Sequence, residues 1–117
     1  MMKMFTHVPD VFLYRDYVDF RKSINGLSVI VEQQMRLSPL TGSVFVFCNK
    51  GRDKIKVLYW DKTGFALWYK RLEKDKFKWP TKLRSESLNL SEQQLHWLFD
   101  GFDVLGHQAI CYETVAL

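Results

Sequence analysis

The chain has 117 residues, 47% of them hydrophobic and 15% aromatic, with a net charge of +4. That is the length of one domain, 1–117, able to bury a core without disulfides or metal and too apolar for a disordered basic tail. The longest apolar run, Val44 to Cys48, is far too short to span a membrane.

Lys3, His7, Pro9 and Asp10 interrupt the start before a secretory apolar core can form, and Cys48 and Cys111 show no C-x-x-C spacing. A cytoplasmic protein with reduced cysteines is expected. Val11 to Tyr14 is a short apolar run that suits an edge strand. From Asp19 the period becomes helical, with Phe20, Ile24, Leu27, Val31 and Met35 on one side. Asp19 is the expected N-cap, and the helix should stop near Leu37, before Ser38-Pro39. Gly26 within it costs about 1 kcal/mol relative to alanine and suggests close packing against a sheet.

Val44 to Cys48, Lys54 to Trp60 and Phe65 to Leu72 read as strands, and Lys76 to Trp79 as a short fourth one stopped by Pro80. The loops between them are short, which forces antiparallel neighbours. The expected fold is therefore α+β, an antiparallel β-meander of about four strands with helices packed on one face. Thr81 to Leu90 is polar and irregular. Ser91 opens a second helix through a capping box with Gln94, its apolar side is Leu95, Leu98 and Phe99, and Asp100-Gly101 ends it. Within the tail, 102–117, Ile110 to Val115 is a candidate strand or partner-contacting extension.

Charge is distributed unevenly. Residues 50–84 hold twelve of the seventeen Lys and Arg against four carboxylates, leaving this stretch at +8 and the rest at −4. Seven aromatic rings are interleaved with these cations. Cations neutralise phosphates and flat rings offer stacking surfaces, so the mixture suits a nucleic-acid partner.

A turn at Asp61 to Gly64 sets Lys54 opposite Arg71 and Lys56 opposite Tyr69. A second turn would set Arg71 opposite Lys78. Side chains alternate across a sheet, so one face should carry Lys54, Lys56, Leu58, Trp60, Phe65, Leu67, Tyr69, Arg71, Lys76 and Lys78. The other should carry Ile55, Val57, Tyr59, Ala66, Trp68, Leu72, Phe77 and Trp79 as core, with Lys70 the exception. Like charges opposite one another destabilise a sheet, which calls for an anionic partner. The alternative is that these charges are solvated and keep an exposed sheet from aggregating.

Little points to catalysis. His7, His96 and His107 are scattered, no His, Cys or carboxylate pair has metal-ligand spacing, and neither a nucleophile elbow nor a glycine-rich phosphate loop is present. Asp61, Asp19 and Asp100 read as turn, cap and terminator residues. No enzyme activity, cofactor or metal is expected.

Four segments in this order carry a family resemblance: Asp19 to Leu27 (DFRKSINGL), Pro39 to Phe47 (PLTGSVFVF), Asn49 to Asp61 (NKGRDKIKVLYWD) and Leu67 to Glu73 (LWYKRLE), followed by Phe77-Lys78-Trp79-Pro80. The chain resembles the TnpB accessory proteins of the insertion sequence 66 family of bacterial transposable elements, over about 11–101. (These are unrelated to the RNA-guided nuclease that shares the name.) The resemblance implies a small protein encoded beside a DDE-type transposase and needed for efficient transposition, with no settled biochemical activity. The motif positions it carries over are Arg21, Arg52, Lys54, Lys56, Trp60, Asp61, Lys70, Arg71, Phe77, Trp79 and Pro80. Cys48 and Lys50 stand where family members often have Arg, and Asn25 where Asp is common; Lys keeps the charge but loses the bidentate fork.

Together these features give an expected non-catalytic accessory factor that binds element-end DNA through Arg21, Arg52, Lys54, Lys56, Trp60, Tyr69, Lys70, Arg71, Lys76 and Lys78, beside the transposase. The alternative is a module that docks on the transposase through the aromatic half of the same face, without nucleic-acid contact.

Overall fold

The computed structural model describes residues 9–104. It contains β1 (Val11–Tyr14), α1 (Ile24–Gln33), β2 (Val44–Cys48), β3 (Lys54–Asp61), β4 (Gly64–Arg71), β5 (Ser87–Leu90) and α2 (Glu92–Phe99). The candidate strand at Ile110 to Val115, together with Cys111, His7 and His107, lies outside the described residues.

The strands form one mixed sheet in the order β4-β3-β2-β1-β5. β3 and β4 pair as the turn chemistry demands, Lys54 with Arg71 and Lys56 with Tyr69. The remainder departs from a four-stranded meander. β1 lies inside the sheet, parallel to β2 and antiparallel to β5, and is not an edge strand. β5 falls in the segment expected to be irregular. The expected fourth strand at Lys76 to Trp79 is instead a loop, so Arg71 has no strand partner in Lys78. Its alternation is real but local: Phe77 and Trp79 turn into the core while Lys76 and Lys78 face solvent. Phe77 N–H donates to Arg52 O at 2.6 Å, and the Trp79 indole donates to Tyr14 O and Arg15 O at 3.0 Å.

Helices cover both faces of the sheet rather than one. α2 packs Leu95, Leu98 and Phe99 against Val44, Val46, Cys48, Ile55 and Val57. α1 packs Leu27 and Val31 against Phe45, Phe47 and Leu58, with Phe65 and Leu67 alongside. β2 explains this arrangement, because all five of its residues are apolar and buried, and alternate residues point to opposite faces.

The termini of the helices follow local chemistry. Ser91 Oγ accepts from Gln94 N–H at 3.1 Å and Gln94 Oε1 accepts from Ser91 N–H at 2.9 Å, the expected capping box. α1 starts later than expected, with Ser23 at its N-cap. The Asp19 carboxylate instead accepts from Arg21 N–H at 2.9 Å, building a turn one step earlier in the chain. α1 also ends earlier, at Gln33, and the chain leaves through Arg36 in a left-handed conformation (φ 57°), with Leu37 N–H reaching back to Val31 O. A Cβ on Gly26 would meet the Lys22 stem at 3.1 Å, so that glycine accommodates a lysine and not the sheet.

Burial pushes the Cys48 thiol up to about 12, so the neutral form is the one the fold accepts. Its contribution to stability is present below the ordinary value of 9.0 and is lost as pH rises through about 12. In a Cys111→Ser variant, Cys48 is therefore expected to resist a thiol-specific reagent at pH 8 until the protein is unfolded. Rapid stoichiometric labelling of the folded protein would contradict the buried placement.

Candidate nucleic-acid interface

The basic stretch folds around one end of the sheet. Cys48, Ile55 and Lys70 mark that end of β2, β3 and β4, and β1 and β5 reach it at Tyr14 and Ser87. Residues 72–86 cross this end from β4 at one edge to β5 at the other, about 20 Å given strand spacings near 4.8 Å.

Two loops meet on the β3–β4 side. In the first, Asn49 is the organiser. Its Oδ1 accepts from Asp53 N–H at 3.1 Å and Lys54 N–H at 3.0 Å, while its Nδ2 donates to Asp53 Oδ1 at 2.7 Å. Arg52 closes the turn by donating its N–H to Asn49 O, and adopts a left-handed backbone at φ 61°. The second loop follows β4 and is tied to the first by Leu72 N–H to Asp53 O, Phe77 N–H to Arg52 O and Lys76 Nζ to Gly51 O.

The result is a cluster of seven cations: Lys50, Arg52, Lys54, Arg71, Lys74, Lys76 and Lys78. All are exposed except Lys54, which is half-buried. Asp53, Glu73 and Asp75 are the carboxylates among them. The Asn49 amide holds Asp53 below its usual range, and Glu73 pairs with Arg71 at 2.9 Å. Among the described residues, Lys50, Arg52, Lys54, Lys74 and Lys78 have no ion pair.

Not every expected site residue joins this cluster. The face expected to be open is closed over most of its length by α1, and Lys56 marks the boundary at 8% exposure. Its ammonium donates to Phe20 O at 2.9 Å and Lys22 O at 2.8 Å and lies 4.8 Å from the Phe20 ring centroid. Burial pushes its pKa down. Lys56 thus holds the 19–22 turn in place rather than facing solvent. Lys70, on the opposite face, donates to Phe99 O at the end of α2 at 2.8 Å. Trp60 is half-buried edge-on to Phe65, toward the other end of the strands.

Tyr69 remains open at 49% exposure, its ring 6.3 Å from Phe20. Arg21, next in the chain to Phe20, is exposed and paired with Asp19, whose carboxyl it holds down at about 2. Two residues in this architecture were not singled out from the sequence. Asn49 had a turn signal but no visible partner. Arg15, whose guanidinium donates to Leu83 O and Arg84 O at 3.2 Å, pins the crossing segment to β1 from 68 residues away and left no local signal.

Among the described residues, no group of three or more His, Cys, Asp or Glu is placed to hold a metal, and no helix is long and apolar enough to cross a membrane.

Comparison with known proteins agrees with the segment order noted above. The uncharacterized protein y4jC of Sinorhizobium fredii (strain NBRC 101917 / NGR234) is 36% identical over 86 residues, covering 74% of this chain and 73% of that protein. The uncharacterized protein y4hO of the same organism is 31% identical over 93 residues, 80% of each chain. No solved structure matches. A family model described as IS66 Orf2 like protein matches residues 9–109, which takes in the Asn49 loop, the paired β3 and β4 and the crossing segment that together build the basic end, and the chain belongs to that family.

Proposed function

We propose that this protein is a non-catalytic, cytoplasmic accessory factor in transposition that grips DNA with the basic end of its sheet, beside the transposase of its element. Family membership supports the transposition-associated accessory role. The observation that carries the DNA reading is the convergence of Lys50, Arg52, Lys54, Arg71, Lys74, Lys76 and Lys78 on two hydrogen-bonded loops and the strand ends that flank them, against three acids of which Asp53 is tethered and Glu73 paired. Such a cluster is costly without an anion, and a phosphate backbone spreads its charge over a matching length. Tyr69 supplies an exposed ring at the edge of the cluster, where stacking or groove contact is geometrically open.

Docking on the transposase through the aromatic half of the same face has less support. Leu58, Phe65 and Leu67 are packed under α1, and Trp60 leans on Phe65. Apart from Tyr69, this surface offers cations and not rings.

A salt titration of binding to element-end DNA should give a steep fall in affinity, with each phosphate contact contributing about −0.9 to the log–log slope. Replacing Lys50, Lys54 and Lys78 with Gln is expected to flatten that slope by about 2–3. An unchanged slope would remove these residues from the interface. Lys56→Met should behave differently: it leaves Phe20 O and Lys22 O without their donor, lowering stability by about 1–3 kcal/mol in a denaturant melt, with the slope of the folded protein shifted by less than one contact.

Arg52 offers a separable test because its left-handed backbone favours glycine. Arg52→Gly is expected to raise stability by up to about 1 kcal/mol while weakening DNA binding. A variant that binds DNA as tightly as the parent would place Arg52 outside the contact.

A further inference from the structure

The two edges of the sheet are not alike. β5 has four residues, whereas β4 has eight and carries the uninterrupted apolar run Phe65-Ala66-Leu67-Trp68-Tyr69. Among the described residues no strand lies along its outer side. The devices that normally blunt an edge are missing: β4 has no proline and pairs with β3 without a bulge over its full length. Its one inward-facing charge, Lys70, is folded back onto Phe99 O. An edge of this length and composition is a template for another strand.

The register shows which backbone groups are available. Leu72 N–H donates inward to Asp53 O, in the same register that pairs Lys54 with Arg71. Alternation along an antiparallel ladder then turns the N–H and C=O groups of Phe65, Leu67, Tyr69 and Arg71 outward.

We propose that this edge pairs antiparallel with β4 of a second copy of the chain, about a two-fold axis at Trp68 that sets Phe65 opposite Arg71 and Leu67 opposite Tyr69, giving a continuous ten-stranded sheet. The sequence of β4 is self-complementary for this arrangement. Its cations, Lys70 and Arg71, sit at one end only, so the antiparallel pair places them opposite the uncharged start of the partner strand. A parallel in-register pair would stack Lys70 on Lys70 and Arg71 on Arg71, which is unfavourable. No acidic foreign strand is needed. Most of the basic cluster lies on loops beyond the strand, and Arg71 and Tyr69 are the β4 residues that the edge shares with it.

The test is sedimentation of the nuclease-treated full chain at tens of micromolar, combined with residue-resolved amide exchange. The expected mass is twice the 13.9 kDa of one chain, and the outward amides of Phe65, Leu67 and Tyr69 should exchange at least about tenfold more slowly than in dilute monomer. Leu67→Pro removes an outward donor without breaking a β3 bond and should halve the mass. If that variant fails to fold, the exchange pattern of the parent protein decides. A monomeric mass overturns the proposal, including the case of slow outward amides in a monomer, which would mean that residues 105–117 or another segment of the same chain cover the edge. A dimer whose outward amides exchange freely overturns it as well.

Discussion

Burial of β2 on both faces is the constraint on which the rest of the structure depends. Val44 to Cys48 contains no polar position, so neither face of the sheet can be left to water where that strand runs. Two helices are required, one per face, and each takes its apolar partners from alternate residues of the same five. β3 inherits the consequence. Leu58 closes under α1 while Ile55 and Val57 close under α2, which leaves charged side chains only where the helical cover stops.

The fate of the lysines follows from that cover. A lysine stem is apolar over four carbons, and the ammonium can satisfy orphaned carbonyls. Lys56 and Lys70 do this on opposite faces, one for the turn ahead of α1 and the other for the last turn of α2. Two residues that look like surface charge in the linear sequence are thus fasteners, Lys56 buried and Lys70 half-buried. The solvent-facing cations of the cluster sit at the strand ends and on the two loops beyond them, whose backbones are joined by hydrogen bonds. Polarisation along the chain becomes polarisation along the strands.

What was legible in the sequence was local. The Asp61 to Gly64 turn fixed the whole β3–β4 register, because two intervening residues leave one way to pair, and Ser91 and Gln94 announced α2 by their spacing. The two-sided cover was also written in β2, whose unbroken apolar run is a sign of burial on both faces, yet alternation in β3 and β4 pointed to an open one. The position of β1 had no local signal at all. Its partners lie more than thirty residues away on one side and more than seventy on the other. Phe77 and Trp79 show how a period of two can mislead: their alternation records two side chains plugging the end of the core, in a loop without ladder bonds. At the basic end of the sheet, Arg52, Arg71 and Lys78 were readable as type and charge. The fastening of Lys56 was not, since its carbonyl partners belong to a turn whose position depends on α1.

The placement of β1 in the interior also orders events during synthesis. β3 and β4 are adjacent in sequence, so their hairpin needs nothing made after Arg71. β1 is made first but sits between β2 and β5, so it cannot have both neighbours until Leu90 has been added. At ordinary elongation rates, the interval from Leu13 to Leu88 is about 4–15 s. Until then β1 has no partner on the side that β5 will take, next to the wholly apolar β2. The nascent protein thus displays its cationic loops early and seals its hydrophobic seam last, with four residues, Ser87 to Leu90, acting as the closure.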